Sequence, residues 1–339
     1  MKSPLDVLLL CFDDNSNSMF RYWKCLKHLG LNAIAFKGRL HPFGYPVQVP
    51  LHPVLGNVPI KVYGPTTIMG PGLETLIQSA HVVHLFHSTY VLTPVDLKAK
   101  HVVVQHGGMA YRQYADQCNA VFNEIADATI VQCPDLLGLG AKNEHLIYYP
   151  VDTDFIQFNP KRRDRERIIF GHFPSNPGWK GTKEIMEVLK EFLEDPDYKD
   201  RIGVRCSMNP TPWLENLAMI KSCDVVIEAM RPEQKGHRYG EWGNTALESA
   251  ASGALVITHH LSEDVYKREY GTRAAIFVAN SKDELRNQIA GIFEMKGHEL
   301  GAFRNLGRSW AESNHSIQAT AARLWDKVYK NFFDGGKVP

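Results

Sequence analysis

The stretch that decides the fold reads Gly240-Glu-Trp-Gly-Asn-Thr-Ala-Leu-Glu-Ser-Ala-Ala-Ser-Gly-Ala-Leu-Val-Ile-Thr258. A glycine-containing loop, a short helix and an apolar strand follow one another here, which is typical of a parallel sheet covered by helices. The helix is predicted at residues 244–251, and its N-terminal N–H groups and positive dipole end face whatever lies before it. The stretch therefore predicts an α/β fold with an anion site in it.

The same alternation continues along both halves of the chain. Strands are predicted at residues 6–11, 81–86, 101–105 and 128–132, and again at 168–170, 202–206, 224–227 and 254–258. Helices with one apolar face are predicted at residues 18–29, 183–193, 214–221 and 317–333. Two Rossmann-like, doubly wound parallel sheets are therefore expected, one in each half.

The length of the chain predicts two domains, because 339 residues exceed what one hydrophobic core usually supports. We predict an N-terminal domain at residues 1–155, a C-terminal domain at 156–315, and a terminal helix and tail at 316–339, with a cleft between the domains. The charged run 161–167 belongs to the predicted linker, and the residues at 38–72, rich in proline and glycine, predict loop or edge strand. The last helix is either an ordinary packing helix or one that crosses back to the N-terminal domain.

The composition excludes several classes of protein. Thirty-eight basic residues balance thirty-seven acidic ones, so there is no strong nucleic-acid signal. The six cysteines show no CxxC pair and no zinc-finger spacing, which favours reduced thiols in a cytoplasmic protein. The first apolar run, at residues 7–10, is too short for a signal peptide or a transmembrane segment. Peripheral contact with a membrane stays an open alternative.

Four residues around the start of the helix at 244–251 are candidates for binding a nucleotide. Gly243, Asn244 and Thr245 stand where N–H groups can meet phosphates. Glu248 lies one turn further on, where a carboxylate can accept hydrogen bonds from the vicinal hydroxyls of a ribose. The alternative interpretation is a plain helix cap followed by a surface glutamate.

This stretch resembles the donor-site signature of the retaining GT-B glycosyltransferases called family 4. That signature runs Glu-Gly-Phe-Gly, four residues, Glu-Ala, a small residue, Gly and an apolar strand. Trp242 and Gly243 match the Phe-Gly pair. Glu248 matches the second glutamate, and Gly253 matches the glycine before the strand. The resemblance covers roughly residues 100–330 and implies a GT-B fold, with two Rossmann-like domains that face each other across the cleft.

The first glutamate of the signature has no match in this chain. Gly240 stands at its position, and the carboxylate comes one residue later, at Glu241. In the family the first glutamate contacts a sugar hydroxyl, so the resemblance makes Glu241 a candidate for that catalytic-site contact.

A second match lies after the predicted strand at 168–170, in Pro177-Gly-Trp-Lys-Gly181. A lysine of a Lys-Gly pair binds the donor diphosphate in the family, and the resemblance implies this role for Lys180. A point charge there would also stabilise the leaving group.

The arginine that the family carries a few residues before this lysine has no match in the chain. His172, Ser175 or Asn176 would have to replace it. Arg238, just before the donor loop, is either a second phosphate ligand or a solvated loop residue.

The N-terminal half matches the family more loosely. His106 and Gly107 follow a predicted strand, and the family often carries His-Gly there with the histidine facing the reacting sugar. His106 is therefore a candidate to hydrogen-bond the sugar or carry a proton, against the alternative of a polar loop residue. Gly107 is a candidate for donor binding, as are Ser16 and Asn17 in the first strand-to-helix loop. The alternative for that loop is that Ser16 or Ser18 caps the helix.

The resemblance implies a glycosyltransferase that moves a hexosyl or pentosyl group from a nucleotide-sugar donor to an acceptor hydroxyl, with retention. Neither a metal nor a cofactor beyond the co-substrate is expected, because GT-B enzymes stabilise the diphosphate with helix N-termini and basic side chains. A GT-B nucleotide-sugar 2-epimerase and a non-catalytic nucleotide-sugar binding protein are the alternatives. Three classes of acceptor are considered. A growing surface polysaccharide or lipid-linked glycan ranks first, a small molecule second and a modified DNA base third.

Overall fold

The structure is a computed structural model, and its description covers most of the chain. The described residues are 5–14, 16–38, 41–46, 66–68, 72–87, 89–91, 93–159, 167–209, 211–231, 233–234, 236–238 and 240–333. Most of the predicted loop at 38–72 and all but one residue of the predicted linker at 161–167 therefore lie outside the description. The chain forms two compact units, one of Met1–Pro150 with Ile317–Pro339 and the other of Val151–Ser316.

The first unit contains a six-stranded parallel sheet in the order β2-β1-β4-β6-β7-β8. Its strands are β1 Leu5–Cys11, β2 Ala33–Lys37, β4 Ala80–Phe86, β6 His101–His106, β7 Ala128–Val131 and β8 Glu144–Leu146, and a separate short pair is formed by β3 Thr66–Ile68 and β5 Thr89–Val91. Its helices before the second unit are α1 Ser18–His28, α2 Leu73–Ser79, α3 Gly108–Gln113 and α4 Ala115–Phe122. The four strands predicted in this half are confirmed, because buried parallel strands are apolar on both faces.

The C-terminal helix crosses back to the first unit. It begins at Ile317, as predicted, runs as α12 Ile317–Lys327, and gives way to a 3₁₀ turn at Tyr329–Phe332. Its apolar stripe packs against α1 and shares the core of the first sheet. The Tyr329 hydroxyl lies 2.7 Å from Nδ1 of His84 on β4, which ties the end of the chain to the sheet.

The second unit contains a five-stranded parallel sheet in the order β10-β9-β11-β14-β15. Its strands are β9 Ile168–His172, β10 Ile202–Cys206, β11 Val225–Ile227, β14 Leu255–Thr258 and β15 Phe277–Val278, with a small hairpin of β12 Glu233–Gln234 and β13 His237–Arg238. Its helices are α5 Pro177–Lys180, α6 Thr182–Glu194, α7 Trp213–Lys221, α8 Asn244–Ser252, α9 Glu263–Tyr270, α10 Lys282–Glu294 and α11 Gly297–His315. The predicted Rossmann-like pattern is confirmed in this unit as well.

Two residues of α11 fix this helix in the second unit. Arg304 forms a buried ion pair with Asp224, whose other carboxylate oxygen accepts the Ile169 N–H at 2.8 Å. Gly307 lies where α11 contacts α8, and a Cβ there would lie at an ordinary van der Waals distance, 3.8 Å, from the Cβ of Ala250. Among the described residues, no helix has the length and apolar character that crossing a bilayer requires.

Candidate functional site

The loop before α8 carries the anion site predicted from the sequence at residues 244–251, which stays a prediction. Gly243 precedes the helix in an extended conformation, with φ −123°, and as a glycine it has no side chain that could cap the helix. The first turn, which includes Asn244 and Thr245, therefore presents backbone N–H groups and the positive dipole end at this point. Such a helix start attracts a phosphate or a carboxylate.

Lys180 lies at the end of α5, the single turn after β9. The Asn176 side chain begins this turn by accepting the Trp179 N–H at 3.1 Å. Gly181 then reverses the chain in the left-handed region, with φ 67°, where a side chain would be strained. The Met230 N–H donates to the Lys180 carbonyl at 3.1 Å, so this turn is held beside the end of β11.

Glu228, which the sequence analysis did not single out, joins these two segments. It directly follows β11, and its side chain is only 2% exposed. Its Oε1 accepts the Gly243 N–H at 2.8 Å and the Lys180 ammonium at 3.2 Å. Its Oε2 is buried and has no hydrogen-bond partner among the described residues. The one signal in the sequence was a charged residue at the end of an apolar strand.

Glu248 is buried in α8 and contacts an aromatic residue of α7. Its Oε1 accepts the indole N–H of Trp213 at 2.8 Å. The Trp213 ring stacks against Phe155, with centroids 5.6 Å apart, and the Phe155 side chain is exposed. The carboxylate therefore lies next to an aromatic pair, and the alternative of an exposed surface glutamate is excluded by its burial.

Glu241, the candidate replacement for the missing glutamate, is buried and anchors a different segment. Its Oε1 accepts the N–H of Ser262, the residue that precedes α9. The Thr258 hydroxyl donates to the Glu241 carbonyl at 3.3 Å. These contacts tie the donor loop to the end of β14 and the start of α9, so the structure gives Glu241 a clear structural role.

His172 does not supply the charge of the missing arginine. Its Nδ1 lies 2.7 Å from the Ile227 carbonyl, which can only accept, so Nδ1 carries the proton. Its Nε2 lies 2.8 Å from the Thr182 hydroxyl, so both ring nitrogens are engaged. Burial lowers the pKa of His172 to about 4, and the ring is therefore neutral near pH 7.

A different basic residue, Arg231, lies beside the Lys180 turn. A Cβ at Gly181 would come within 3.1 Å of the Arg231 Cγ. The Arg231 guanidinium contacts Glu184 at 2.9 Å, and the Arg231 backbone N–H donates to His259 Nδ1 at 2.8 Å. Arg238, the candidate from the sequence, ends β13, and its side chain lies outside the description.

The first unit carries a second anion position, at the start of α1, and it is already filled. The buried carboxylate of Asp14 accepts the N–H groups of Met19 at 3.2 Å and Phe20 at 3.4 Å, and it pairs with Lys37 at 3.2 Å. Burial raises the pKa of Asp14, but the hydrogen bond from His87 and the charges of Lys37 and His87 outweigh it and hold the pKa at about 2.

Ser16 and Asn17 lie between Asp14 and α1, at the edge of this filled position. Asn17 adopts a left-handed conformation, with φ 54°, and its buried Oδ1 has no hydrogen-bond partner among the described residues. Asp14 accepts the N–H groups that a donor phosphate at this helix start would need. A donor in contact with Ser16 or Asn17 would therefore have to bind without these N–H groups. Their donor-binding role stays a prediction.

His106 ends β6 and is fully buried. Its ring stacks in parallel on Tyr111, with centroids 3.9 Å apart. Burial lowers the pKa of His106 to about 3, so the ring is neutral near pH 7. Its predicted contact with a sugar requires neighbouring side chains to move, and it stays a prediction.

Gly107 follows His106 where two polar side chains approach the backbone. A Cβ at Gly107 would lie 2.6 Å from Gln132 Oε1 and 3.2 Å from His87 Nδ1. His87 has a left-handed backbone, with φ 51°, and its Nε2 lies 2.9 Å from the Ser18 hydroxyl. Packing therefore requires a glycine at position 107. His87 is a further polar group at the carboxyl ends of these strands, and it was not predicted from the sequence.

Solved structures share this fold. HepE of Anabaena, solved with UDP-glucose, aligns with a TM-score of 0.63 and 12% identity over 96% of this chain and 99% of that chain. A glycosyltransferase from Rickettsia africae ESF-5 aligns with a TM-score of 0.62 and 13% identity over 98% and 100% of the two chains. MnaA of S. aureus, solved with UDP, aligns with a TM-score of 0.53 and 13% identity over 97% and 98%.

No family model and no curated protein matches the sequence. At identities this low, the comparisons show a shared fold alone, and the activity has to be argued from the site. The chain therefore has the GT-B fold, built from two Rossmann-like parallel-sheet domains.

Proposed function

We propose that the protein is a glycosyltransferase that transfers a sugar from a nucleoside diphosphate sugar to an acceptor hydroxyl. The observation that carries this proposal is the convergence of Lys180 and the start of α8 on Glu228. An ammonium group and a helix N-terminus, far apart in the sequence, meet at the carboxyl ends of β9 and β11. Ligands of open α/β sheets bind at this end of the strands.

The chemistry follows from the charges at this point. When the bond between sugar and diphosphate breaks, negative charge develops on the leaving diphosphate, and the Lys180 ammonium and the N–H groups of α8 stabilise it. Asn244 and Thr245 lie in the first turn that meets the phosphates. Glu248 accepts hydrogen bonds from the ribose hydroxyls, and release of the Trp213 N–H frees its Oε1 for this contact.

Retention and independence from a metal are part of the proposal. The charge of the diphosphate is balanced by Lys180 and the helix dipole, so a cation is not needed for this purpose. The acceptor then attacks on the face that the diphosphate leaves, and no protein nucleophile is invoked. This mechanism is that of the retaining family 4 enzymes, which the sequence resembles.

We propose uridine diphosphate as the nucleotide to test first, because HepE and MnaA were solved with UDP. For the acceptor, a surface or lipid-linked glycan ranks before a small molecule, and a modified DNA base ranks third. We propose a cytoplasmic location, where nucleotide sugars are made.

One observation favours a second candidate function, a protein that binds a nucleotide sugar without turning it over. The chain has Gly240 where the family carries its first glutamate. Incubation with nucleotide sugars and a panel of glycan acceptors separates the two functions. A transferase releases UDP only with its acceptor, a 2-epimerase converts the sugar without one, and a binding protein leaves the nucleotide sugar intact.

A further inference from the structure

We propose that Glu228 binds the sugar of the donor, by accepting hydrogen bonds from its hydroxyls through Oε2. This inference rests on the proposed function, and it assigns to Glu228 the contact that the sequence resemblance assigned to Glu241. The observation behind it is one carboxylate whose two oxygens have very different surroundings.

The two oxygens of Glu228 differ in their hydrogen bonds. Oε1 accepts from both the Gly243 N–H and the Lys180 ammonium. Oε2 is buried but receives no donor from any described residue. A buried carboxylate oxygen without a donor is costly, so such an atom marks a place where a donor from outside the chain fits.

Charge decides which part of a nucleotide sugar can meet Oε2. The diphosphate carries only negative acceptor oxygens, so it approaches Lys180 and α8 and is repelled by a carboxylate. Hydroxyl groups can donate to a carboxylate, and the transferred sugar carries several of them directly next to the diphosphate. Glu228 lies beside the two groups that attract the diphosphate, which places Oε2 within reach of that sugar.

Glu241 fits this contact less well. Its Oε1 is occupied by the Ser262 N–H, and this bond fixes the segment before α9. Lys180 and Gly243 both donate to Glu228. Glu228 is therefore the carboxylate that shares its surroundings with the diphosphate-binding groups.

The competing explanation is that Glu228 only anchors Lys180 and the donor loop. The two roles differ in what they do to ligands with and without a sugar. An anchor changes the binding of UDP and of a UDP-sugar alike, because both carry the diphosphate. A sugar ligand changes only the UDP-sugar.

The test is calorimetric titration of the full chain with UDP and with UDP-glucose, UDP-galactose and UDP-N-acetylglucosamine. Glu228→Gln keeps an oxygen for the Gly243 N–H but removes the charge at the sugar. We expect UDP to bind within about threefold of wild type, and the best UDP-sugar to lose about tenfold or more relative to UDP. Glu228→Asp keeps the charge but shortens the side chain by one methylene, and it should show the same loss of UDP-sugar affinity relative to UDP. This variant keeps the test valid if Glu228→Gln does not fold.

Glu241→Gln is the matched control, a second buried glutamate of the same unit. It is expected to lower the melting temperature and to keep the ratio of UDP-sugar to UDP affinity. Two outcomes would overturn the inference. One is an unchanged ratio of UDP-sugar to UDP affinity in both Glu228 variants, whether or not both affinities fall. The other is a fall of this ratio in Glu241→Gln. A wild-type protein that binds none of UDP, GDP, ADP, CDP and dTDP would reject the proposed function itself, together with this inference.

Discussion

The carboxylate of Glu228 lies 3.2 Å from the ammonium of Lys180, at the point where β11 ends. The Glu228 side chain is 2% exposed and that of Lys180 17% exposed, so the pair is largely shielded from water. The same carboxylate holds the N–H of Gly243 before α8. One buried acidic group thus contacts both the lysine and the helix start that are proposed to bind the donor.

Removing the lysine alone should therefore destabilise the protein. Lys180→Met leaves the buried Glu228 charge without its cation, and we expect a loss of about 1–3 kcal/mol in the free energy of unfolding, less than for a fully buried pair because Lys180 is partly exposed. The double variant Lys180→Met/Glu228→Gln should recover part of this loss. Urea unfolding of the three proteins measures the difference, and a double variant less stable than Lys180→Met would show that the pair is not coupled as described.

Glu248 should matter for the nucleoside and not for the phosphates. We expect Glu248→Ala to weaken UDP binding by about tenfold or more, since a charged acceptor for the ribose hydroxyls is lost, and to leave pyrophosphate binding unchanged. Trp213→Phe is the control, because it removes the N–H that contacts Glu248 and keeps an aromatic ring there. Equal losses for UDP and pyrophosphate in Glu248→Ala would contradict the ribose contact.

The buried histidines predict a loss of stability in weak acid. The pKa of His172 is lowered by burial from 6.5 to about 4, so between these values the unfolded chain binds a proton that the folded chain does not. Stability therefore falls as pH falls through this range, by about 3 kcal/mol for this one group. His84 and His106, whose pKa values burial lowers to about 3, act in the same direction.

Urea midpoints measured from pH 7 to pH 4 test this dependence. Asp14 loses its stabilising charge only as pH falls towards about 2, so the range above pH 4 reports mainly on the histidines. His172→Gln should have a shallower dependence than wild type. Equal slopes in the two proteins would show that His172 is not held neutral by the fold.

Gly253, which ends α8, should be far less tolerant of a side chain than a glycine at another helix end. Its φ is 85°, and a Cβ there would come within 2.5 Å of the Phe158 ring. Gly271, which ends α9, has a similar φ of 71° but nothing within 4 Å of a Cβ. We expect Gly271→Ala to cost about 1 kcal/mol from the left-handed backbone alone, and Gly253→Ala to cost about 2–4 kcal/mol. Thermal unfolding that gives equal costs would contradict the packing of Phe158 against this helix end.

Much of the fold could be predicted because several central strands of the two sheets are buried on both faces. Val225–Ile227 is apolar throughout, Leu255–Thr258 is apolar up to its last residue, and the helices between the strands have one apolar face. Helix α11 was not predicted, because glycines such as Gly301 and Gly307 weaken the helical pattern. Gly307 lies at the contact of α11 with α8, and such a contact cannot be seen in the sequence.

The candidate site was predicted in part. The start of α8 was found through its local pattern and Lys180 through the resemblance to family 4, and the structure brings them together. Glu228 was missed because its importance depends on the folding of two distant segments around it, which no local pattern encodes. The filled anion position at α1 was missed for a similar reason, since Lys37 reaches Asp14 from a neighbouring strand.

The central claim is that the second unit binds a nucleoside diphosphate at Lys180 and the start of α8. The most direct test is a thermal-shift titration of the wild-type protein with UDP, GDP, ADP, CDP and dTDP. We expect at least one of them, UDP first, to raise the melting temperature in a saturable way, and Lys180→Ala to abolish the shift. No shift with any of the five, or the same shift in Lys180→Ala, would contradict it.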